Sequence, residues 1–290
     1  MVLDIDRVGI VGGGVMGCGI AETCARAGLS VILCEQDQRR ADAATDRVTS
    51  SLDRAVQREK ITAETKNLAL NKVSFVTGLG SLTDRQLVLE AVIEDLDEKR
   101  KVFSELDAVV GADTILATNT SSIPVTDIAT SSSRPERVLG IHFFNPVPVM
   151  RLVEIVPTLL TAPHVTSAAT AFASDTLGKH VVRVEDRAGF VVNALLVPML
   201  LNAIRMLEAG LASASEIDDA LVLAFGHPLG PLRLCDLIGV DIVVAMAESL
   251  HAEFGESAYC PPPLLRRMNQ VGRLGRKSGR GFFEYTPEAP

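Results

Sequence analysis

The stretch RVGIVGGGVMGCGIAETCARAGLSVILCEQD, residues 7–37, decides the fold class. An apolar run enters a glycine cluster, small apolar residues follow at helical spacing, Gly28 stops them, and a second apolar run ends at Glu35. That order predicts one strand–helix–strand unit. Within it Gly12, Gly14 and Gly17 fit G-x-G-x-x-G between strand and helix. Such glycines give a tight turn, let a pyrophosphate reach the backbone, and let the helix pack close to the sheet. The anion is expected at the amino end of the helix opened by Val15 and Met16, where free N–H groups and the dipole favour negative charge. Glu35 lies 23 residues after Gly12, near the offset of about 20 expected for the acid that accepts from ribose hydroxyls. An acid there repels a 2′-phosphate, so the expected cofactor is NAD rather than NADP. Arg39 and Arg40, just beyond, read as a solvated helix face.

Working outward, residues 37–71 are polar and Ala-rich with helical periodicity, a crossover of one or two helices whose inward candidates are Leu52, Val56, Ile61, Leu68 and Leu70. Apolar runs follow at 73–76, 87–93, 114–118 and 137–144, with a helix predicted between Asp97 and Val110. The run RLVEIVP gives another strand, residues 166–177 another helix, and HVVRVED ends the strand-rich half. Strands alternating with helices predict a mostly parallel, doubly wound sheet. From Gly189 onward the chain turns to apolar helical stretches (189–209, 214–225, 236–254), broken at Gly210, at 226–231 and at 260–263. The expected class is α/β: a Rossmann-like doubly wound sheet in residues 1–187, then an all-helical domain in 188–290.

Composition narrows the function. Among 290 residues, 28 Lys and Arg stand against 36 Asp and Glu, a net charge of −8. This gives no general attraction to nucleic acids or anionic membranes, although a small anionic ligand needs only a local site. The longest charge-free apolar stretch, between Arg187 and Arg205, falls short of the roughly 20 residues of a spanning helix and reads as a buried one. MVLDIDRVG does not resemble a signal peptide, so the expected location is the cytoplasm. Five cysteines, odd in number and without a close pair, read as reduced packing residues rather than disulfides or a zinc site.

A nicotinamide enzyme oxidising an alcohol needs a base for the hydroxyl proton, and histidine is the side chain tuned nearest neutral pH. Four of the five histidines, His164, His180, His227 and His251, have ordinary surface or packing contexts. His142 ends an apolar strand at the edge where ligands of open α/β sheets bind. The segment HFFNPVPVMRLVE turns back and returns Glu154 on the next strand. A carboxylate on one imidazole nitrogen fixes the tautomer and leaves the other nitrogen to take a proton; a structural histidine bonded to backbone is the alternative.

Seven blocks, GIVGGGVMGCGIAE, EAVIEDLDEKRKVF, ATNTSSIPVTDIA, GIHFFNPVPVMRLVEIV, DRAGFVVNALLVPML, GHPLGPLRLCDLIGVD and GRKSGRGFFEY, together resemble the L-3-hydroxyacyl-CoA dehydrogenase family, particularly its stand-alone bacterial 3-hydroxybutyryl-CoA dehydrogenases. The resemblance runs in order along essentially the whole chain. It implies NAD as cofactor, a short-chain (S)-3-hydroxyacyl-CoA as substrate, and a homodimer. It further implies that His142 is the catalytic base and Glu154 its orienting acid. Asn193 matches an asparagine at the thioester and hydroxyl end of the substrate, Ser121 a serine contacting substrate and nicotinamide, and Asn145 an asparagine beside the nicotinamide. Glu94, Lys99 and Lys277 match cofactor contacts, Ser51 a CoA-contacting serine, and Arg58 falls about where the family has a CoA-binding lysine.

Bland readings stand beside these. Asn119 and Ser121 are also candidate caps for a helix from Ile123 onward, and Lys99 and Lys277 lie in charge-rich stretches that usually mean solvated surface. Two departures bear on the acyl carrier: Ala194 where the family has a basic residue, and Arg233, within Leu232–Cys235, where relatives usually carry an acid. Rival substrates are an acyl-carrier-protein thioester and an L-gulonate-type sugar acid, and a non-enzymatic rival is an NAD-binding lens crystallin.

Overall fold

A computed structural model of the chain describes residues 4–286. It divides into two compact units, Met1–Arg187 and Ala188–Pro290. In the first, β1 (Arg7–Val11), α1 (Val15–Arg26) and β2 (Ser30–Glu35) form the opening unit. Next come α2 (Gln38–Gln57), α3 (Ala63–Leu70), β3 (Val73–Thr77), β4 (Leu87–Glu90), α4 (Leu96–Val109), β5 (Ile115–Thr118) and the short α5 (Val125–Ala129). β6 (Val138–Phe143), β7 (Leu152–Pro157), α6 (Pro163–Ala171) and β8 (His180–Arg183) complete the unit.

The eight strands form one sheet in the order β3-β2-β1-β4-β5-β6-β7-β8. Every neighbouring pair is parallel except β6 with β7. Its first six strands follow the doubly wound order, with the direction of winding reversing between β1 and β4. β4, β5 and β6 are buried at every position, which is why they read as nearly unbroken apolar runs rather than alternating ones.

The crossover is two helices. Asp37 caps α2 by accepting from the Arg40 N–H, and the face Ala41, Ala44, Val48 and Leu52 is buried at helical spacing. Glu59 in a left-handed conformation (φ 55°) separates it from α3 and resets the helical phase. Ala69, not the expected Leu68, is therefore the buried position, and Leu68 is 61% exposed.

The second unit holds α7 (Val192–Glu208), α8 (Ala214–Phe225), α9 (Pro231–Ile238), α10 (Val240–Phe254) and α11 (Pro263–Gln270). The stretch 236–254, expected as one helix, is split at Gly239, whose φ of 110° no helix contains. α9 starts at Pro231, a residue suited to the first helical position because it lacks an N–H that would be unsatisfied there. Asp236 on α9 is buried and accepts from the backbone of Phe282 and Phe283 and from the Tyr285 hydroxyl, each at 3.0 Å. That carboxylate ties the segment after α11 onto the bundle.

Candidate active site

The glycine loop joins β1 to α1 at the carboxyl edge of the sheet. A Cβ on Gly17 would lie 1.8 Å from the Gly12 carbonyl oxygen, so only glycine permits this approach of helix to turn. Among the described residues, nothing beyond its chain neighbours lies within 4 Å of where a Gly14 Cβ would be, and no side chain caps α1 there. Open space against free helical N–H groups is what a diphosphate needs. Glu35, at the end of β2, accepts from the Gly13 N–H at 2.6 Å. Its carboxylate is thus fixed beside the loop where a ribose would approach, and the site fits NAD. Arg39 and Arg40 are exposed, Arg40 pairing with Asp37.

His142 and Glu154 are direct register partners across the antiparallel β6·β7 pair. The imidazole Nδ1 is 2.7 Å from Glu154 Oε2, and both side chains are buried. Phe144 lies against the ring at 4.5 Å between centroids. With a carboxylate at Nδ1 fixing the tautomer, Nε2 is the ring nitrogen that Glu154 does not engage.

A second carboxylate cluster occupies the ends of β4 and β5. Glu90 is sealed from solvent and accepts from Lys99 Nζ, the Val92 N–H and the Thr118 hydroxyl, each at 2.7 Å. Lys99 is not on the surface: it is 1% exposed, between Glu90 and Glu94, whose Oε2 is 3.3 Å away. Glu94 Oε1 accepts from the Thr120 hydroxyl at 2.6 Å and from the Ser121 and Ser122 N–H groups. Burial pushes the Glu94 carboxyl up, but the Lys99 ammonium and these donors outweigh it and hold the group below its ordinary value. Ser121 is therefore fixed by Glu94 rather than serving as a helix cap. Asn119 also does not cap; its Oδ1 accepts from the Phe143 N–H at 2.9 Å, joining the end of β5 to the residue after His142. α5 takes its cap from Asp186, which accepts from the Val125 and Thr126 N–H groups at 2.7 Å.

The remaining candidates are dispersed. Asn145 is exposed in the turn after β6. Ser51 and Arg58 lie seven residues apart on one side of α2, Ser51 half-buried and Arg58 exposed at its carboxyl end. Asn193 and Lys277 belong to the second unit: Asn193 is buried in the first turn of α7, and Lys277 pairs with Asp241 at 2.6 Å. Arg233 stacks over the Phe283 ring at 3.9 Å beside Asp218, which gives that departure an internal structural use. Glu90 and Asp186 are absent from the sequence reading, and Asn119 enters it only as a cap. The signal for Glu90 was available, because an acid inside LVLEAVI needs a partner wherever that run is buried.

Comparison with known proteins agrees with this geometry. Residues 7–187 match the model of the 3-hydroxyacyl-CoA dehydrogenase NAD binding domain, and residues 189–285 match that of the 3-hydroxyacyl-CoA dehydrogenase C-terminal domain. The chain is 52% identical over 282 residues to a 3-hydroxybutyryl-CoA dehydrogenase of Mycobacterium tuberculosis, covering 97% of this chain and 99% of that one. It is 42% identical to the Clostridioides difficile enzyme of the same name, with 97% and 99% covered. Among solved structures, M. tuberculosis FadB2 superposes with a TM-score of 0.97 at 52% identity, covering 98% and 100% of the two chains. The (S)-3-hydroxybutyryl-CoA dehydrogenase of Ralstonia eutropha gives 0.92 at 43% identity, with the same coverage. The chain belongs to the 3-hydroxyacyl-CoA dehydrogenase family and is an NAD-dependent oxidoreductase.

Proposed function

We propose that the protein interconverts (S)-3-hydroxybutyryl-CoA and acetoacetyl-CoA with NAD. The observation that carries this reading is the buried His142–Glu154 pair, with His142 on the strand whose carboxyl end faces the same sheet edge as the glycine loop. Bound NAD supplies a nicotinamide ring that accepts or donates the hydride. His142 takes the 3-hydroxyl proton on Nε2, and Glu154, held at Nδ1, keeps the tautomer and stabilises the imidazolium. Ser121 and Asn193 orient the hydroxyl and thioester end of the substrate. Glu94 holds Ser121, and Lys99 acts through Glu94 rather than on the cofactor directly. Asn145 and Lys277 contact the cofactor, and Ser51 and Arg58 the CoA arm. Residues 1–187 serve as the NAD-binding domain and 188–290 as the substrate and dimerisation domain. Exposed Leu195 on α7 and Leu223 and Phe225 on α8 support a second copy of the chain as the partner of this helical unit.

The test is NADH consumption with acetoacetyl-CoA, run beside NADPH, an acetoacetyl carrier-protein thioester, and L-gulonate with NAD. Turnover selective for NADH and CoA is expected, and His142→Gln and Glu154→Gln should each lower kcat about 100-fold or more with NADH affinity kept. Near-wild-type kcat in His142→Gln would remove the histidine from the mechanism; turnover only on the carrier thioester or the sugar acid would replace the substrate.

A further inference from the structure

Lys179, immediately before β8, is a buried cation whose partners are not carboxylates. Its ammonium donates to the carbonyl oxygens of Val147 and Met150, both at 2.7 Å. Among the described residues no acid lies within ion-pair distance of it, and burial together with the nearby Arg26 guanidinium pulls its pKa below the ordinary lysine value. A lysine kept in such a place is using its charge on the backbone. Both carbonyls belong to the turn of residues 144–151, which joins the strand of His142 to the strand of Glu154 and carries Asn145.

The same turn is held from two other directions. Val147 is 2% exposed and packs where Gly19 of α1 leaves room: a Cβ on Gly19 would lie 3.0 Å from Val147 Cβ. At the turn's entry, the Phe143 N–H is held by Asn119. The turn therefore bridges the cofactor helix and the histidine–glutamate pair, and Lys179 fixes its far side at two points.

We infer that Lys179 is a positioning residue for the reaction: by clamping the 144–151 turn against α1 it sets where His142, Glu154 and Asn145 stand relative to the cofactor helix. The inference rests on the functional reading above. Without the ammonium, two carbonyl oxygens lose their donor, and water must reach them by displacing the turn. A displacement of about 1 Å at a reacting group costs on the order of 100-fold in rate.

The experiment uses the full chain carrying Lys179→Met, which keeps the side-chain volume, and separately Gly19→Ala, which pushes the same turn from the opposite side and leaves the ammonium intact. Acetoacetyl-CoA and NADH kinetics are measured well below each variant's Tm. Lys179→Met should lower kcat about 10- to 100-fold and KM values less than about threefold, and Gly19→Ala should lower kcat in the same selective way. The double variant should lose much less than the product of the two single losses, because both act on one turn. The His142 imidazole N–H resonance should shift or broaden in both variants. Should Lys179→Met fail to fold, Gly19→Ala decides by the same kcat and resonance criteria. Unchanged kcat with a lowered Tm, or losses that multiply independently, would overturn the inference. If the wild-type chain does not turn over acetoacetyl-CoA, the substrate assignment fails instead, and the imidazole resonance alone decides: an unaltered signal rejects the role of Lys179.

Discussion

Lys99 and Glu90 form an ion pair at 2.7 Å in which neither partner is more than 1% exposed. Replacing Lys99 by Met leaves a carboxylate buried on two neutral donors, and breaking such a pair from one side costs about 3–5 kcal/mol. The double variant Glu90→Gln with Lys99→Met removes both charges and should recover much of that loss. Urea unfolding of wild type and the two variants checks this. A loss under about 1 kcal/mol in Lys99→Met would show a pair as weak as an exposed one.

Two glycines of the loop should respond oppositely to the same methyl group. Gly14→Ala meets nothing within 4 Å beyond its chain neighbours among the described residues and should change stability by no more than about 0.5 kcal/mol. It should still weaken NADH about tenfold or more, because the methyl occupies the space through which a pyrophosphate reaches the backbone. Gly17→Ala drives a Cβ to 1.8 Å from the Gly12 oxygen and should cost about 1–3 kcal/mol even without cofactor. Thermal unfolding with and without NADH separates the two effects; equal Tm losses would mean that the space beside Gly14 is not the ligand's.

The glycine turn and Glu35 were legible in the sequence because their relationship is local, one strand–helix–strand unit with the acid at the end of its second strand. His142 and Glu154 were legible for a similar reason: one proline-rich turn reverses the chain and sets them opposite each other. What stayed hidden depends on which distant strands become neighbours. Glu90, Thr118 and Lys99 meet only because β4 lies beside β5 and α4 covers their ends, so Lys99 in a charged run read as surface. Ser121 and Asn119 likewise read as caps until Glu94 and Phe143 arrived as partners. Leu68 was misplaced by carrying one helical phase across the break at Glu59.

Glu94 gives a pH signature of defined sign. Its carboxyl is held below the ordinary value of 4.5 in the folded chain, so between the two values the unfolded chain binds more protons and stability rises with pH. Its contribution is complete above about pH 5.5 and is lost as pH falls through 4.5 toward the folded value. The difference in unfolding free energy between wild type and Glu94→Gln should be flat above that window and shrink below it. A difference independent of pH would mean that Lys99, Thr120, Ser121 and Ser122 do not favour the ionised form.

Tyr285 titrates in the opposite sense. Burial, followed by the Asp236 carboxylate, pushes its phenol from 10.0 up to about 12, with Arg276 offsetting part of the rise. The folded chain therefore keeps a proton that the unfolded chain loses between those values. The stabilisation is complete below pH 10 and declines as pH rises through about 12. At neutral pH, Tyr285→Phe should cost about 1 kcal/mol, the net worth of one hydrogen bond. Across the alkaline window the variant should lose stability less steeply than wild type, so the two unfolding curves converge. Asp236→Ala should flatten the same slope and destabilise at every pH, because the Phe282 and Phe283 N–H groups lose their acceptor as well. Parallel alkaline curves for wild type and Tyr285→Phe would show that the Asp236 anchor on the last described residues is made by the backbone alone.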